Sequence, residues 1–469
     1  MRFRLLLGLL AVSAAACAAV PKYVFVFIGD GMSMPQRMTA EEFARLSGYG
    51  PLAMNALRHQ SSTRTRSANA IVTDSAAAAT AIACGEKANN GALGVAPDGR
   101  RLESVAEFAK KRGMKVGIMT TVPIVHATPA GFYAHRPNRG DSYGIALDLL
   151  ASKFDFFAGG GVYDKYDDKA HAEYRGNIFE LAEKDGFTIA RDRTSFAALK
   201  PGCGKAWGVF SDCGLPFAID GDEKYPDLAV MVSKAVELLE GPDGFFIMAE
   251  GGAVDHCAHA NDAAAVLREV ISMDAAVKVA VKFMERHPSE TLVIVTGDHE
   301  TGGMAMGFAG LGYRFQVGLL ANQKCSAEVF SNRISRMLEQ NINLSFDEVK
   351  PLVEENFGLV FDAAKAATEE MKQLRLSADE IKDLEKAFRK DVEFVRARQR
   401  ETTKHDVQRR RQFAAACRRI LSNHAGVGWS SGAHTALPTM TTADGCGAEN
   451  FTGFLENTDI AVRLKALLK

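Results

Sequence analysis

At 469 residues the chain exceeds the usual size of one domain, although large α/β sheets run to this length as a single unit. Its 56 basic residues meet 57 acidic ones, a formal net charge of −1, so the overall balance offers no surface for a polyanion. Aromatic residues make up only 8% and no basic stripe interleaves with them, which argues against a nucleic-acid-binding role.

The first residues read as an export signal. Arg2 and Arg4 precede the apolar run Leu5 to Val12, and Ser13 to Ala19 offers small-residue cleavage sites, so residues 1–19 are assigned to a signal peptide. The segment is too short to span a membrane. Export to the periplasm or the extracellular space is therefore expected. Lipid attachment at Cys17 is the minority alternative, because Ala14 stands where a larger aliphatic residue is usual before a lipidated cysteine. An exported chain permits disulfides. Of the eight cysteines seven remain beyond Cys17, so at least one thiol stays free unless it pairs between chains. Cys203 and Cys213, flanking a glycine-containing loop, are the expected pair.

Further along, Lys22 to Ile28 is short and almost wholly apolar, as suits a strand buried on both faces of a parallel sheet. It ends at Gly29-Asp30-Gly31, which puts Asp30 at a strand's C-terminal edge, where open α/β sheets bind ligands. Alone, an aspartate between glycines is a turn residue. Next comes Ile71-Val72-Thr73-Asp74-Ser75, followed by an alanine-rich helix from Ala76. Ser75 thus sits at a helix N-terminus, where unpaired N–H groups and the dipole favour an anion. Taken in isolation, Thr-Asp-Ser is an ordinary helix cap.

The strand-then-polar-tip pattern recurs. Lys115 to Thr120 leads to His126 and Thr128, Phe154 to Ala158 leads to three glycines, Phe245 to Ala249 delivers Glu250, and Leu292 to Thr296 delivers Asp298-His299. Amphipathic helical stretches such as Leu102 to Lys111 and Leu228 to Leu239 lie between them. The sequence therefore predicts an α/β fold, a doubly wound and mostly parallel sheet flanked by helices with one functional edge. Residues 20–325 form its first part.

From 326 to 420 the texture changes. Phe330, Ile334, Met337 and Leu338 keep helical spacing, and Ser377 to Glu380 looks like a capping box before Ile381, Leu384, Phe388, Val392 and Val395. This stretch is read as an inserted helical subdomain, with residues 421–469 closing the core. Arg409-Arg410-Arg411 reads as a solvated helix face.

Ligand types concentrate in Glu250-Gly251-Gly252-Ala253-Val254-Asp255-His256-Cys257-Ala258-His259. Asp255 and His259 are four apart, so on a helical turn both face one way. A carboxylate with an imidazole suits zinc, and a third protein ligand would leave one position open.

Val72 to Thr80 resembles the nucleophile signature of alkaline phosphatases. The similarity extends through Ile28 to Met32, Ala127 to His135, Asn138-Arg139, Glu250-Gly251-Gly252 and Thr296 to Glu300, covering residues about 22 to 310 and resuming near 430. The resemblance implies a phosphomonoesterase acting on small phosphate monoesters, with two zinc ions and one magnesium ion, and a homodimer. One zinc would take Asp255, His259 and a C-terminal histidine. His434 is chosen because Ala433-His434-Thr435 precedes the strand-like Thr439 to Ala443 as in the family, with His424 the runner-up. The second zinc would take Asp30, Asp298, His299 and the Ser75 oxygen. Magnesium would take Asp30, Thr128 and Glu250, completed by water, since hard oxygen ligands suit that ion.

In the same reading Ser75 is the nucleophile and becomes a phosphoserine, while Arg139 presents a planar fork to two phosphate oxygens. His126 and His256 stand at two positions that tune the magnesium site. Glu300 follows His299 where several members carry a small residue, so the pocket wall is expected to differ. The helical insertion, lying between His299 and His434, is read as a lid or crown over the site or as a partner-binding surface. Two other readings remain: a phosphodiesterase of the same superfamily, and an exported, non-enzymatic phosphate-binding protein. A sulfatase is disfavoured because no Cys-x-Pro-x-Arg segment occurs.

Overall fold

Three apolar runs without polar alternation set the middle of the molecule: Tyr23–Gly29, Phe245–Gly251 and Thr291–Gly297 are buried at every position, as strands covered on both faces must be. A computed structural model of the chain describes residues 20–163, 165–400 and 412–469, with the side chains of 398–400 excepted. The proposed signal peptide with Cys17, together with Arg409-Arg410-Arg411, lies outside the described residues.

In chain order the strands are β1 (Tyr23–Gly29), β2 (His59–Arg64), β3 (Lys115–Pro123), β4 (Phe156–Gly160) and β5 (Phe187–Ala190). There follow β6 (Lys205–Val209), β7 (Phe245–Gly251), β8 (Thr291–Gly297), β9 (Glu300–Thr301) and β10 (Met304–Met306). The closing part adds β11 (Val427–Trp429), β12 (His434–Thr435), β13 (Thr439–Gly445) and β14 (Gly453–Glu456). Ten of them form one sheet in the order β14-β2-β13-β8-β1-β7-β3-β4-β6-β5. Among the described strands of this sheet only β13 runs against its neighbours, antiparallel to both β2 and β8. Two short ribbons, β10 with β11 and β9 with β12, stand apart from it.

Register decides where the polar tips fall. Gly29 of β1 lies opposite Gly251 of β7 on one side and Gly297 of β8 on the other, so three central strands end level. Asp30, Glu250 and Asp298 consequently meet at one edge.

Side chains of β1 alternate between two cores. Tyr23, Phe25 and Phe27 join the face covered by the Leu228–Leu239 and Ala263–Arg286 helices, while Val24, Val26 and Ile28 join the face covered by the Ser75–Cys84 and Ser142–Ala151 helices. The stretch after 326 is helical, with Ala327–Gln340, Phe346–Phe357, Ala378–Arg400 and Gln412–Ala425. Its buried Phe330, Ile334, Leu384, Phe388 and Phe413 continue the first of these cores. The Ser377–Glu380 capping box forms, the Glu380 carboxylate accepting the Ser377 backbone N–H at 2.8 Å. Among the described residues no helix is long and apolar enough to cross a membrane.

The expected Cys203–Cys213 disulfide is not formed; both are free thiols. All 5 residues of β6 lie between them, and at about 3.3 Å per residue the strand holds its flanks farther apart than the ~7 Å a disulfide tolerates.

Candidate active site

The Ser75–Cys84 helix starts because Asp74, in extended conformation, caps it: its Oδ1 accepts the Ala77 N–H at 3.0 Å. All ten of its residues are buried, and the alanines let the turn around Gly131 press close; a methyl on Gly131 would sit 2.8 Å from Ala79 Cβ. Ser75 is thereby held at the sheet edge, its Oγ 3.2 Å from His299 Nε2. The other oxygen of Asp74 accepts the Gly91 N–H at 3.0 Å and a guanidinium N–H of Arg139 at 3.1 Å. A second nitrogen of Arg139 lies 3.3 Å from His126 Nε2. Asp74 is therefore more than a cap: it holds the cationic fork that stands beside Ser75.

Asp30, Glu250 and Asp298 are fully buried. Asp30 Oδ1, Glu250 Oε1, Asp298 Oδ2 and His126 Nδ1 are all buried without a hydrogen-bond partner. Burial, and then the neighbouring carboxylates led by Asp298, push Asp30 well above the ordinary carboxylate range. Asp298 is pushed up too, by burial against the pull of the Gly31 N–H. His299 is driven down by burial and by His434. Acceptor atoms left unpaired in a dry pocket are costly, and a cation is the partner that satisfies several at once.

Among the described residues three groups could each hold a cation, the ligand atoms within a group lying within 4.8 Å of one another: Asp255 with His259 and His434, Asp30 with Asp298 and His299, and Asp30 with His126 and Glu250. In the second, His299 Nε2 sits 3.3 Å from Asp30 Oδ1 and 3.2 Å from Asp298 Oδ2. In the third, His126 Nδ1 lies 3.7 Å from Asp30 Oδ2 and 3.8 Å from Glu250 Oε1. Thr128 stands beside it, donating its hydroxyl to Asp30 Oδ2 at 3.1 Å. The exposed ring of His256 meets that of His126 edge-on, with centroids 5.7 Å apart.

The first group shows its chemistry in its tautomers. His259 Nδ1 faces the Gly432 carbonyl at 2.9 Å, and His434 Nδ1 faces the Thr73 carbonyl at 2.9 Å. A carbonyl only accepts, so both protons sit on Nδ1 and both Nε2 atoms carry bare lone pairs. Those two atoms point at each other 3.1 Å apart, with Asp255 Oδ2 3.3 Å from the first. Lone pairs so placed suit a shared cation. His424, the other candidate, is instead bound to Glu380 at 2.8 Å in the helical stretch.

Three contacts are set by the fold and went unread in the sequence. Thr301 donates to Asp255 Oδ1 at 2.6 Å and lies 3.2 Å from His299 Nδ1, bridging two groups. Thr120 donates to Glu250 Oε2. The Asp74–Arg139 pair spans 65 positions of chain; an acid beside the expected nucleophile is the one signal that hinted at it.

The family model for alkaline phosphatase matches residues 21–469. Over 451 residues the chain is 30% identical to alkaline phosphatase 3 of Bacillus subtilis, covering 94% of this chain and 87% of that protein. A cold-active alkaline phosphatase from the psychrophile Shewanella sp. superposes with a TM-score of 0.78 at 26% identity, covering 95% of this chain and 100% of the other. The Thermus thermophilus alkaline phosphatase gives 0.76 at 27% identity, covering 96% and 92%.

Proposed function

Because the chain belongs to the alkaline phosphatase family of metal-dependent hydrolases, we propose that it hydrolyses small phosphate monoesters through a phosphoserine formed at Ser75. The observation that carries this reading is the 3.2 Å approach of Ser75 Oγ to His299 Nε2, beside buried and unpartnered oxygens of Asp30 and Asp298.

The unpaired donor atoms suit two zinc ions and one magnesium ion. Asp255, His259 and His434 would hold one zinc, and Asp30, Asp298, His299 and the Ser75 oxygen the other. Asp30, Thr128 and Glu250 would hold magnesium, with His126 and His256 tuning it. When bound, the cations supply positive charge to the phosphoryl oxygens and lower the pKa of a neighbouring hydroxyl or water.

The chain's own residues do the rest. Arg139, fixed by Asp74, binds two non-bridging oxygens of the ester and turns phosphorus toward Ser75. The N-terminus of the Ser75–Cys84 helix adds its dipole to the hold on the anion. Ser75 Oγ gives up its proton to solvent and attacks phosphorus; the Oγ–P bond forms as the bond to the alcohol oxygen breaks, and the alcohol leaves with a proton taken back from solvent. Water then attacks from the vacated side, the P–Oγ bond breaks and Ser75 is reprotonated. Two in-line displacements retain configuration at phosphorus.

Export, to the periplasm or beyond, follows from the Arg2/Arg4 leader, with a lipid anchor at Cys17 as the lesser alternative; homodimerisation follows from family membership. Acid quenching during turnover of a labelled ester tests the mechanism. Label should lie on Ser75, and Ser75→Ala should carry none and lose at least about a thousandfold in kcat. Full turnover by Ser75→Ala would end the proposal.

A further inference from the structure

β9 and β12 are two residues each, too short for their backbone pairing alone to fix a register. Yet the register matters. His434 lies opposite Thr301 and Thr435 opposite Glu300, so the ribbon has two faces. One carries His434 and Thr301 toward Asp255 and His299, where the rings of His299 and His434 stack with centroids 3.6 Å apart. The other carries Glu300 and Thr435. A slip of one residue would turn His434 away from the cluster.

The back face holds the lock. Glu300 is fully buried, and its carboxylate receives four donors. Oε1 accepts from Gln36 Nε2 at 2.7 Å and from the Met304 N–H at 3.1 Å. Oε2 accepts from the Gly303 N–H at 3.0 Å and from the Thr435 hydroxyl. Gln36 also donates to the Thr301 carbonyl at 3.0 Å, and its own oxygen accepts the Ser33 N–H at 3.0 Å in the loop that follows Asp30. Glu300 thus joins three pieces of chain: the first turn of the Met34–Leu46 helix, which Gln36 ties to the loop after β1, the turn after β9, and β12. Each of these lies next to a residue of the metal groups.

We infer that Glu300 is a positioning residue whose bond to Thr435 sets the register of β12, and so sets how tightly Asp255, His259 and His434 retain zinc. The inference rests on reading those three residues as zinc ligands. Glu300 touches none of them; it acts through Thr435 and the ribbon. Only an acceptor can take all four bonds, so glutamine, which turns one oxygen into a donor, cannot replace it. This also gives Glu300 a place behind the site, not in the pocket wall.

The test compares wild type, Glu300→Gln and Thr435→Val, the last removing one hydroxyl and little else. Zinc per chain is measured by competition against a graded series of chelators, with the unfolding midpoint recorded for zinc-loaded and zinc-free protein. Both variants should release one zinc at least about tenfold more readily than wild type, as loss of a group that orients a ligand does. Their loaded midpoints should fall by more than their zinc-free ones, and excess zinc should restore kcat. Zinc retention equal to wild type in Thr435→Val overturns the inference, as does a midpoint loss equal with and without zinc. Wild type that takes up no zinc would overturn the proposed function itself, a result visible before either variant is made.

Discussion

The guanidinium of Arg139 is moored to Asp74, the residue directly before Ser75, by a 3.1 Å ion pair. One carboxylate therefore ends its helix, closes the Gly91 loop and aims the anion clamp. The two side chains keep 32% and 22% of their surface in solvent, so the pair is screened and its worth lies in aim more than in stability. Asp74→Asn keeps an acceptor for the Ala77 N–H but removes the charge that fixes Arg139. KM should rise about tenfold with kcat changed by no more than about threefold, the pattern of lost ground-state binding. Steady-state kinetics with a small aryl phosphate decide it; an unchanged KM would mean that Arg139 is held by something else.

Metal removal should be felt by the fold as well as by the chemistry. Asp30, Glu250 and Asp298 meet at three level strand ends with unpartnered oxygens, a crowd of acids that burial alone cannot stabilise. Stripping with a chelator should lower the unfolding midpoint by several degrees, because a ligand bound only by the native state stabilises it. Zinc should restore the midpoint and part of the activity, and magnesium added afterwards should raise activity further. A midpoint indifferent to chelator would leave these acids without a counter-ion role.

Much of this was legible because a parallel sheet writes its buried strands as apolar runs and its working edge as the residues just after them. Asp30, Glu250 and Asp298 could be placed at one edge from that rule alone, and Asp255 with His259 from helical spacing. What the sequence could not carry was partnership over distance. The register of β9 against β12, which brings His434 beside His299, rests on four residues with no periodic pattern. Thr301 and Thr120 look like any threonine until folding sets them against Asp255 and Glu250. The Cys203–Cys213 pair failed for a related reason: proximity in sequence says little when a strand lies between.

The two histidine candidates near the C-terminus now part company. His424 is bound to Glu380, and that contact, with the Ser377 cap, holds the Glu380 carboxyl down to about 2 against the opposing effect of burial. His434 sits with Asp255 and His259. His424→Ala should cost the helical stretch about 1–2 kcal/mol through the lost bond and leave zinc content unchanged. His434→Ala should lose one zinc per chain. Metal content of the two purified variants settles the matter, and a reversed result would restore His424 as the ligand.

One buried acid away from the site predicts a pH effect on stability. Glu269, on the Ala263–Arg286 helix, is 4% exposed and receives the Ala218 N–H at 2.6 Å. Burial, with Asp220 adding to it, pushes its carboxyl up to about 7, against 4.5 for a free side chain. Below pH 4.5 the group is protonated in both states and contributes no pH dependence. Between 4.5 and 7 the native state holds a proton that the unfolded chain has released, so stability falls as pH rises. Above 7 the loss is complete, on the order of 3 kcal/mol for a shift of this size. Glu269→Gln keeps an acceptor for Ala218 and carries no charge. Its unfolding midpoint should match wild type near pH 4.5, exceed it by a margin that grows up to about pH 7, and keep that margin at pH 8. Parallel midpoint curves for the two proteins across that range would mean that Glu269 ionises in place without penalty.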